Sequence, residues 1–288
     1  MSVVISSVGF GLVTAAVLAL ASVGFTLQFA VTNVLNLAYG GVMIVAAYAA
    51  YALNNAGVNI WIATPAAIAG GAVLSLFLNT VIYTPFQRRG ASPIAMVIVS
   101  LGMTLILEFG TQALAGPTNV SYAMSQGATV RLGSIELTVV QLVIIALSVV
   151  VMVGIHGLIR YTRLGKAMRA TAANRNLARN CGIRTDRVVM TSWLISGALC
   201  GLAGATFAMN SGTFGATSTD IFLVLILAAV FLGGPGEPYG AMLGALVIGM
   251  ATEVSASVIV SDYKDVIAFV ILLAMLAVRP TGLLGARA

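Results

Sequence analysis

Long apolar runs divided by short polar breaks make up almost the whole chain. Continuous apolar stretches of roughly 18 or more residues read as membrane-crossing helices, and the alternating pattern of a barrel strand is missing from them. The pattern predicts spans at about Val8–Phe29, Leu37–Leu53, Trp61–Tyr83, Ile94–Leu114, Val139–Ile159, Val188–Ala208, Ile221–Leu232, Ala241–Val260 and Val266–Val278. The region 25–55 has room for a broken helix, and the run at 221–232 is short enough to be tilted or partly re-entrant. Residues 115–137 differ in kind. Gly116, Pro117, Asn119, Gly127 and Gly133 punctuate alternating stretches there, which predicts a short β-hairpin outside the bilayer. The expected fold is all-α: one polytopic transmembrane bundle of about eight or nine spans, a single domain over residues 1–288.

Composition agrees. Of 288 residues, 60% are hydrophobic and 8% charged, against about 25% charged in soluble domains. The net charge of +6 gains its meaning from position, because Arg160, Arg163, Lys166, Arg169, Arg175, Arg179, Arg184 and Arg187 crowd one inter-span segment. Only Tyr161 interrupts them as an aromatic, so the cluster does not have the interleaving expected of a nucleic-acid surface. Loops rich in Lys and Arg face the cytoplasm. Alternation then puts Arg88, Arg89, the 233–239 turn and the tail with Arg279 and Arg287 on that side. Arg131 and Lys264 fall outside, beside Glu136 and Asp262. This predicts a cytoplasmic C-terminus.

The chain is poor in catalytic chemistry. GxxxxGK[ST] occurs nowhere, and Gly165-Lys166 is followed by Ala, so no phosphate-cradling loop is predicted. The lone histidine, His156, falls at the expected cytoplasmic end of a span, where a polar interfacial tip is its expected role. Cys181 and Cys200 lie roughly 28 Å apart if one helix joins them, too far for a disulfide. Transport is the class that remains. Ionisable groups inside spans are its natural candidates, which singles out Glu108 and Glu253. Either can meet a substrate ammonium or hold helices together. Asp220 opens a span, where the helix dipole favours an acid. Gly197, Gly201 and Gly204 give one span a small face for close packing. Phe207, Phe214, Tyr122, Tyr263 and Trp61 sit near expected membrane interfaces.

The segment RYTRLGKAMRATAANRNLARNCGIRTDRV, 160–188, is helical in propensity from Lys166 to Arg179. Gly182 offers a stop, Ile183 an exposed apolar knob, and the alanines a slim profile. Its run of residues resembles the cytoplasmic coupling loop of the permeases of branched-chain amino acid ABC importers, in their shorter type. Further matches are Asn33 through Ala38 leading to Ala47-Tyr48, Pro85 through Pro93 with Ser100-Leu101-Gly102, Ala229 through Gly240, Asp262 through Asp265, and the closing Arg279-Pro280-Thr281-Gly282-Leu283-Leu284-Gly285. Tyr39, Pro235 and Glu237 depart from the family's usual residues.

The resemblance implies a non-catalytic subunit in a bacterial inner membrane that binds no cofactor, with ATP and Mg held on partner subunits. The implied coupling residues are Arg163, Gly165, Arg169, Ala170, Ala173, Asn174, Ala178, Gly182 and Ile183. Asn36, Tyr39, Glu108 and Glu253 are the candidates along a translocation path. Implied partners are two cytoplasmic ATP-binding subunits, a second permease (a different one, or a copy of this chain), an external binding protein and the lipid bilayer. Urea, short amides or other small solutes are the alternative cargo, and a stand-alone transporter or channel the alternative class.

Overall fold

The computed structural model describes residues 2–125, 127–132, 135–257, 264–278 and 282–284. Helices α1 (Ser2–Thr32), α2 (Tyr39–Asn55), α3 (Ile60–Leu78), α4 (Thr84–Arg88) and α5 (Pro93–Ala115) come first. A two-stranded antiparallel hairpin follows, β1 (Thr129–Leu132) and β2 (Ile135–Thr138), with Thr129 opposite Thr138 and Arg131 opposite Glu136. The remainder is α6 (Val139–Tyr161), α7 (Arg163–Ala173), α8 (Arg175–Asn180), α9 (Thr185–Ser211), α10 (Asp220–Gly233), α11 (Pro238–Ala256) and α12 (Lys264–Val278).

Among the described residues, six helical stretches are long and apolar enough to cross a membrane: 7–32, 60–88, 93–115, 139–161, 185–211 and 238–256. The bundle and the hairpin are thus as the hydrophobic pattern anticipates. The expected loop with Asp262 and the tail with Arg279 lie outside the described residues.

Local sequence explains most boundaries. Asn33 ends α1 with φ +52° and donates its N–H to the Phe29 carbonyl at 2.7 Å, a left-handed cap that asparagine tolerates. Asn59 accepts from the Trp61 N–H at the start of α3, and Ser92 from the Ala95 N–H at the start of α5. Thr138 and Gln141 form a reciprocal capping box that sends β2 directly into α6.

The third span does not stop before Pro85. A π-helical turn, Asn79–Tyr83, joins α3 to α4, and the Thr84 N–H bonds back to Asn79. This widened turn lets the chain accept Pro85 early in α4, where its missing N–H costs little.

The core is organised around α9, 72% of whose apolar stretch is buried. It packs on α3, α1 and α2. At the α3 contact there is no space for a side chain: a Cβ on Gly197 would strike the Gly71 carbonyl and Ser75, and one on Gly201 the Ala67 carbonyl. Such backbone approach is how small residues hold helices together in lipid. A second contact of this kind joins α10 to α11 at Gly233 and Gly240. The Leu283 and Leu284 N–H groups donate to the Leu232 and Gly233 carbonyls, satisfying acceptors at the open end of α10.

The segments 116–128 and 212–219 are tied by paired backbone bonds between Val120 and Phe214, each 2.9 Å. Tyr122 and Phe214 are not an interfacial belt. Both are buried; Phe214 stands edge to face with Tyr48 and Tyr51, and Tyr122 lies tilted against Phe214. The Tyr122 hydroxyl donates to the Ala47 carbonyl at 2.9 Å, and burial pushes its phenol pKa up. Trp61 is exposed.

Replacing Gly197 with Val should lower the unfolding free energy by about 1–3 kcal/mol, read as a shifted midpoint in detergent-titrated unfolding. Gly102→Ala should leave that midpoint unchanged or raise it, since a Cβ there meets nothing within 4 Å.

Candidate functional site

Three places bring the sequence's candidate residues into definite surroundings. The first is the corner between α6 and α9. One residue, Thr162, separates α6 from α7; its hydroxyl donates to the Leu158 carbonyl at 2.6 Å and accepts from the Gly165 N–H at 3.0 Å. α7 folds back so tightly that a Cβ on Gly165 would meet the Leu158 and Ile159 carbonyls. Arg169 donates to the Ile159 carbonyl at 2.6 Å, placing a cation on the open C-terminal end of α6. Met168 and Thr171 are buried beneath α7.

The basic segment is not one short helix. Asn174 adopts an extended conformation and caps α8 by accepting from the Leu177 N–H at 3.0 Å, because its side chain competes with the helix for the backbone. Gly182 closes α8 at φ +84°. The Ile183 N–H reaches back to the Ala178 carbonyl at 3.0 Å, and this return tucks Ile183 against the core. The exposed apolar knob is Leu177, 60% exposed. Arg163, Ala173 and Asn174 are exposed, Ala170 is half-buried, and Ala178 points inward. Asp186 takes Arg175 at 3.3 Å and Arg179 at 3.9 Å. Pairs this exposed contribute about 0–1 kcal/mol, so the caps, not the charges, set the shape.

The second place is a buried polar chain. The Tyr83 hydroxyl donates to Asn36 Oδ1 at 2.6 Å, Asn36 Nδ2 to Gln28 Oε1 at 3.4 Å, and Ser196 Oγ to the same Gln28 oxygen at 3.3 Å. The Tyr39 hydroxyl donates to the Ser196 carbonyl at 3.3 Å. Asn36 and Tyr39 therefore share one network in which each is engaged. Gln28, Tyr83 and Ser196 were not singled out from sequence, although a glutamine inside an apolar span was a usable signal. Beside the network, the Thr219 hydroxyl donates to the Gly40 carbonyl at 3.0 Å, so the N-terminal ends of α2 and α10 meet within the bundle. Glu108 is 3% exposed, and its Oε1 is buried without a hydrogen-bond partner among the described residues.

The third place is a cavity of about 200 Å³ whose walls come from α1, α9, α10 and α11 and include Glu253. Thr14 Oγ1 donates to Glu253 Oε1 at 3.2 Å. Asn36, Tyr39, Glu108 and Glu253 thus do not form one site. His156 lies elsewhere, its Nδ1 2.9 Å from the Tyr239 hydroxyl. Among the described residues, no group of His, Cys, Asp and Glu is arranged to hold a metal, and both cysteines are free.

The comparisons give this architecture its family. The model of the branched-chain amino acid transport system permease component matches residues 7–276. The chain belongs to that permease family. It is 28% identical to the high-affinity branched-chain amino acid transport system permease protein LivH of Salmonella typhimurium, over 93% of this chain and 91% of the relative. BraD of Pseudomonas aeruginosa, a permease protein of the same description, is 27% identical over 96% of this chain and 94% of its own length. LivM of Escherichia coli K12 is 26% identical over 91% of this chain and 66% of the relative. In structure, the PsaBC complex of Streptococcus pneumoniae with a Fab contains a chain of the same fold, with TM-score 0.52, 16% identity, and coverage of 94% of this chain and 91% of that one. The permease is a multi-pass membrane protein.

Tyr83→Phe would leave Asn36 Oδ1 without its donor inside the permease. The expected cost is about 1–3 kcal/mol, visible as a lower midpoint of thermal unfolding, whereas Tyr161→Phe, at an exposed phenol, should change stability by less than about 0.5 kcal/mol.

Proposed function

We propose that this permease is the membrane-spanning, non-catalytic subunit of an ATP-driven importer for branched-chain or other small apolar amino acids. The observation that carries the proposal is the family match over residues 7–276, joined by relatives whose names state that transport. Two cytoplasmic subunits would bind ATP and Mg and hydrolyse the nucleotide; this chain would hold neither. Their docking surface would be the α7–α8 corner, with Leu177 as the apolar anchor and Arg175 and Arg179 on the rim, an arrangement common to protein interfaces. This puts α7, α8 and the C-terminus in the cytoplasm and the hairpin outside.

A second permease would cover the faces this chain leaves bare. Only 22% of the apolar stretch of α5 and of α6 is buried, and both a LivH and a LivM match the chain, which favours two different permeases over a homodimer. An external binding protein would deliver the solute. Nucleotide-driven closure of the ATPases would move α7–α8 and rock the bundle between inward- and outward-facing states.

Cells lacking this permease should lose uptake of labelled leucine, and excess isoleucine or valine, but not urea, should compete in cells that have it. Unchanged leucine uptake with lost urea or amide uptake would move the cargo. Leu177→Asp should reduce leucine uptake at least about tenfold, as loss of a central apolar anchor costs 2 kcal/mol or more, roughly, with membrane levels unchanged. Wild-type uptake in that variant would refute the docking surface.

A further inference from the structure

We infer that the cavity between α3–α4 and the start of α9 binds the phosphate headgroup of an anionic phospholipid, with Arg88 and Arg175 as its charged donors and Asn79 as a neutral one. The inference goes beyond the importer reading and holds for any solute the permease carries.

The cavity forms where two spans part. α3 and α9 run antiparallel in close contact: Gly71 meets Gly197, and the Ser75 hydroxyl donates to the Trp193 carbonyl at 3.0 Å. Beyond that contact α3 passes into the π turn at Asn79. A space of about 360 Å³ opens there, walled by the π turn, α4, Arg175 of α8 and Val189 of α9. Small-molecule sites have volumes of about 300–1,000 Å³. The apolar stretch 60–88 ends at this cavity and the stretch 185–211 begins at it, which sets it at a boundary between membrane and water.

Its polar groups are donors in excess. Arg88 is exposed and makes no ion pair among the described residues. Among the described residues of the lining, Asp186 is the only acid, and it is taken by Arg175 at 3.3 Å and Arg179 at 3.9 Å. Three arginines therefore face one carboxylate. Arginine matches a phosphate with two parallel N–H···O bonds. Asn79 is 3% exposed and its Oδ1 accepts from the Thr84 hydroxyl at 3.4 Å, while its Nδ2 amide has no hydrogen-bond partner among the described residues. A buried donor without an acceptor is costly, and a phosphate oxygen in the cavity supplies the acceptor.

What adjoins the cavity identifies the phosphate as a lipid's. Thr80 and Met190 line it. Phe77, three residues before Thr80 on α3, and Leu194, four residues after Met190 on α9, are exposed. Residues at these spacings are neighbours on a helix face. Two apolar tracks thus lead from the cavity along the spans, and they suit acyl chains. Basic pockets between spans at the membrane surface take anionic headgroups on these terms.

The test uses the full chain purified with its co-expressed subunits in a neutral detergent. Native mass spectrometry reads the affinity for dioleoylphosphatidylglycerol and for dioleoylphosphatidylcholine, added separately. Phosphatidylglycerol should bind at least about tenfold more tightly, as two arginines at a lipid surface provide. Arg88→Gln should weaken it about fivefold. Arg89→Gln, at the neighbouring exposed arginine outside the lining, should change it less than about twofold. Arg88 lies outside the α7–α8 corner, so its variant leaves the surface assigned to the ATPases intact. Equal affinity of the wild type for the two lipids would overturn the proposal without any variant. Equal weakening by Arg88→Gln and Arg89→Gln would also overturn it, since that is the response of surface charge alone. Inorganic phosphate and sn-glycero-3-phosphoglycerol, the headgroup without acyl chains, supply the last arm. Neither should displace the lipid at equal concentration, and displacement by either would overturn the lipid assignment in favour of a free anion.

Discussion

Backbone-to-backbone contact between helices is the constraint on which this structure depends. Lipid supplies no hydrophobic drive for one apolar helix to leave it for another, so association requires close fit. α9 meets α3 through Gly197 and Gly201, where a single added carbon would strike a carbonyl. With α9 held there, α1 and α2 close around it, and residues 33–38 acquire a surrounding wall. That enclosure matters because non-helical backbone is tolerated at membrane depth only where protein or a water-filled space covers it. The polar side chains of Gln28, Asn36, Tyr83 and Ser196 serve the same end, bonding to one another and so keeping polar atoms from facing lipid.

The two short helices follow from this. α2 has 17 residues and α10 has 14, roughly 26 and 21 Å at 1.5 Å per residue, each less than the approximately 30 Å of hydrocarbon. Neither completes a crossing alone. Their N-terminal ends share a contact at Gly40 and Thr219, which makes the middle of the bundle a place where helix ends, rather than helix sides, face one another. Helix interruptions of this kind occur at solute sites in other transporters. The 200 Å³ cavity lies along the same α10.

Much of this was legible in the chain. Apolar runs located the long helices, Gly and Asn punctuation located the hairpin, and the spacing of Gly197, Gly201 and Gly204 announced the packing face. What escaped the sequence were features set by three-dimensional neighbours. The third span read as ending at Tyr83, but a π turn carries the helix on through Pro85 to Arg88. Asn174 sits in a strongly helical stretch, yet its side chain starts a second helix. Ile183 read as exposed because its local context is basic, whereas the turn at Gly182 folds it back under Ala178. Among the candidate residues, Glu253 lines a cavity, while Asn36 and Tyr39 bond to Tyr83 and the Ser196 carbonyl, on other helices. No one-dimensional pattern records those distances.

The corner at Thr162 also has a mechanical meaning. One residue joins α6 to α7, and Arg169 clasps the last turn of α6 from the other side. At the far end, the turn after α8 is closed by bonds to Ala178 and Arg179 before α9 begins. A linkage this short has almost no slack. A load applied to α8 would therefore pass to α6 and α9 with little of it lost in the bending of a loop.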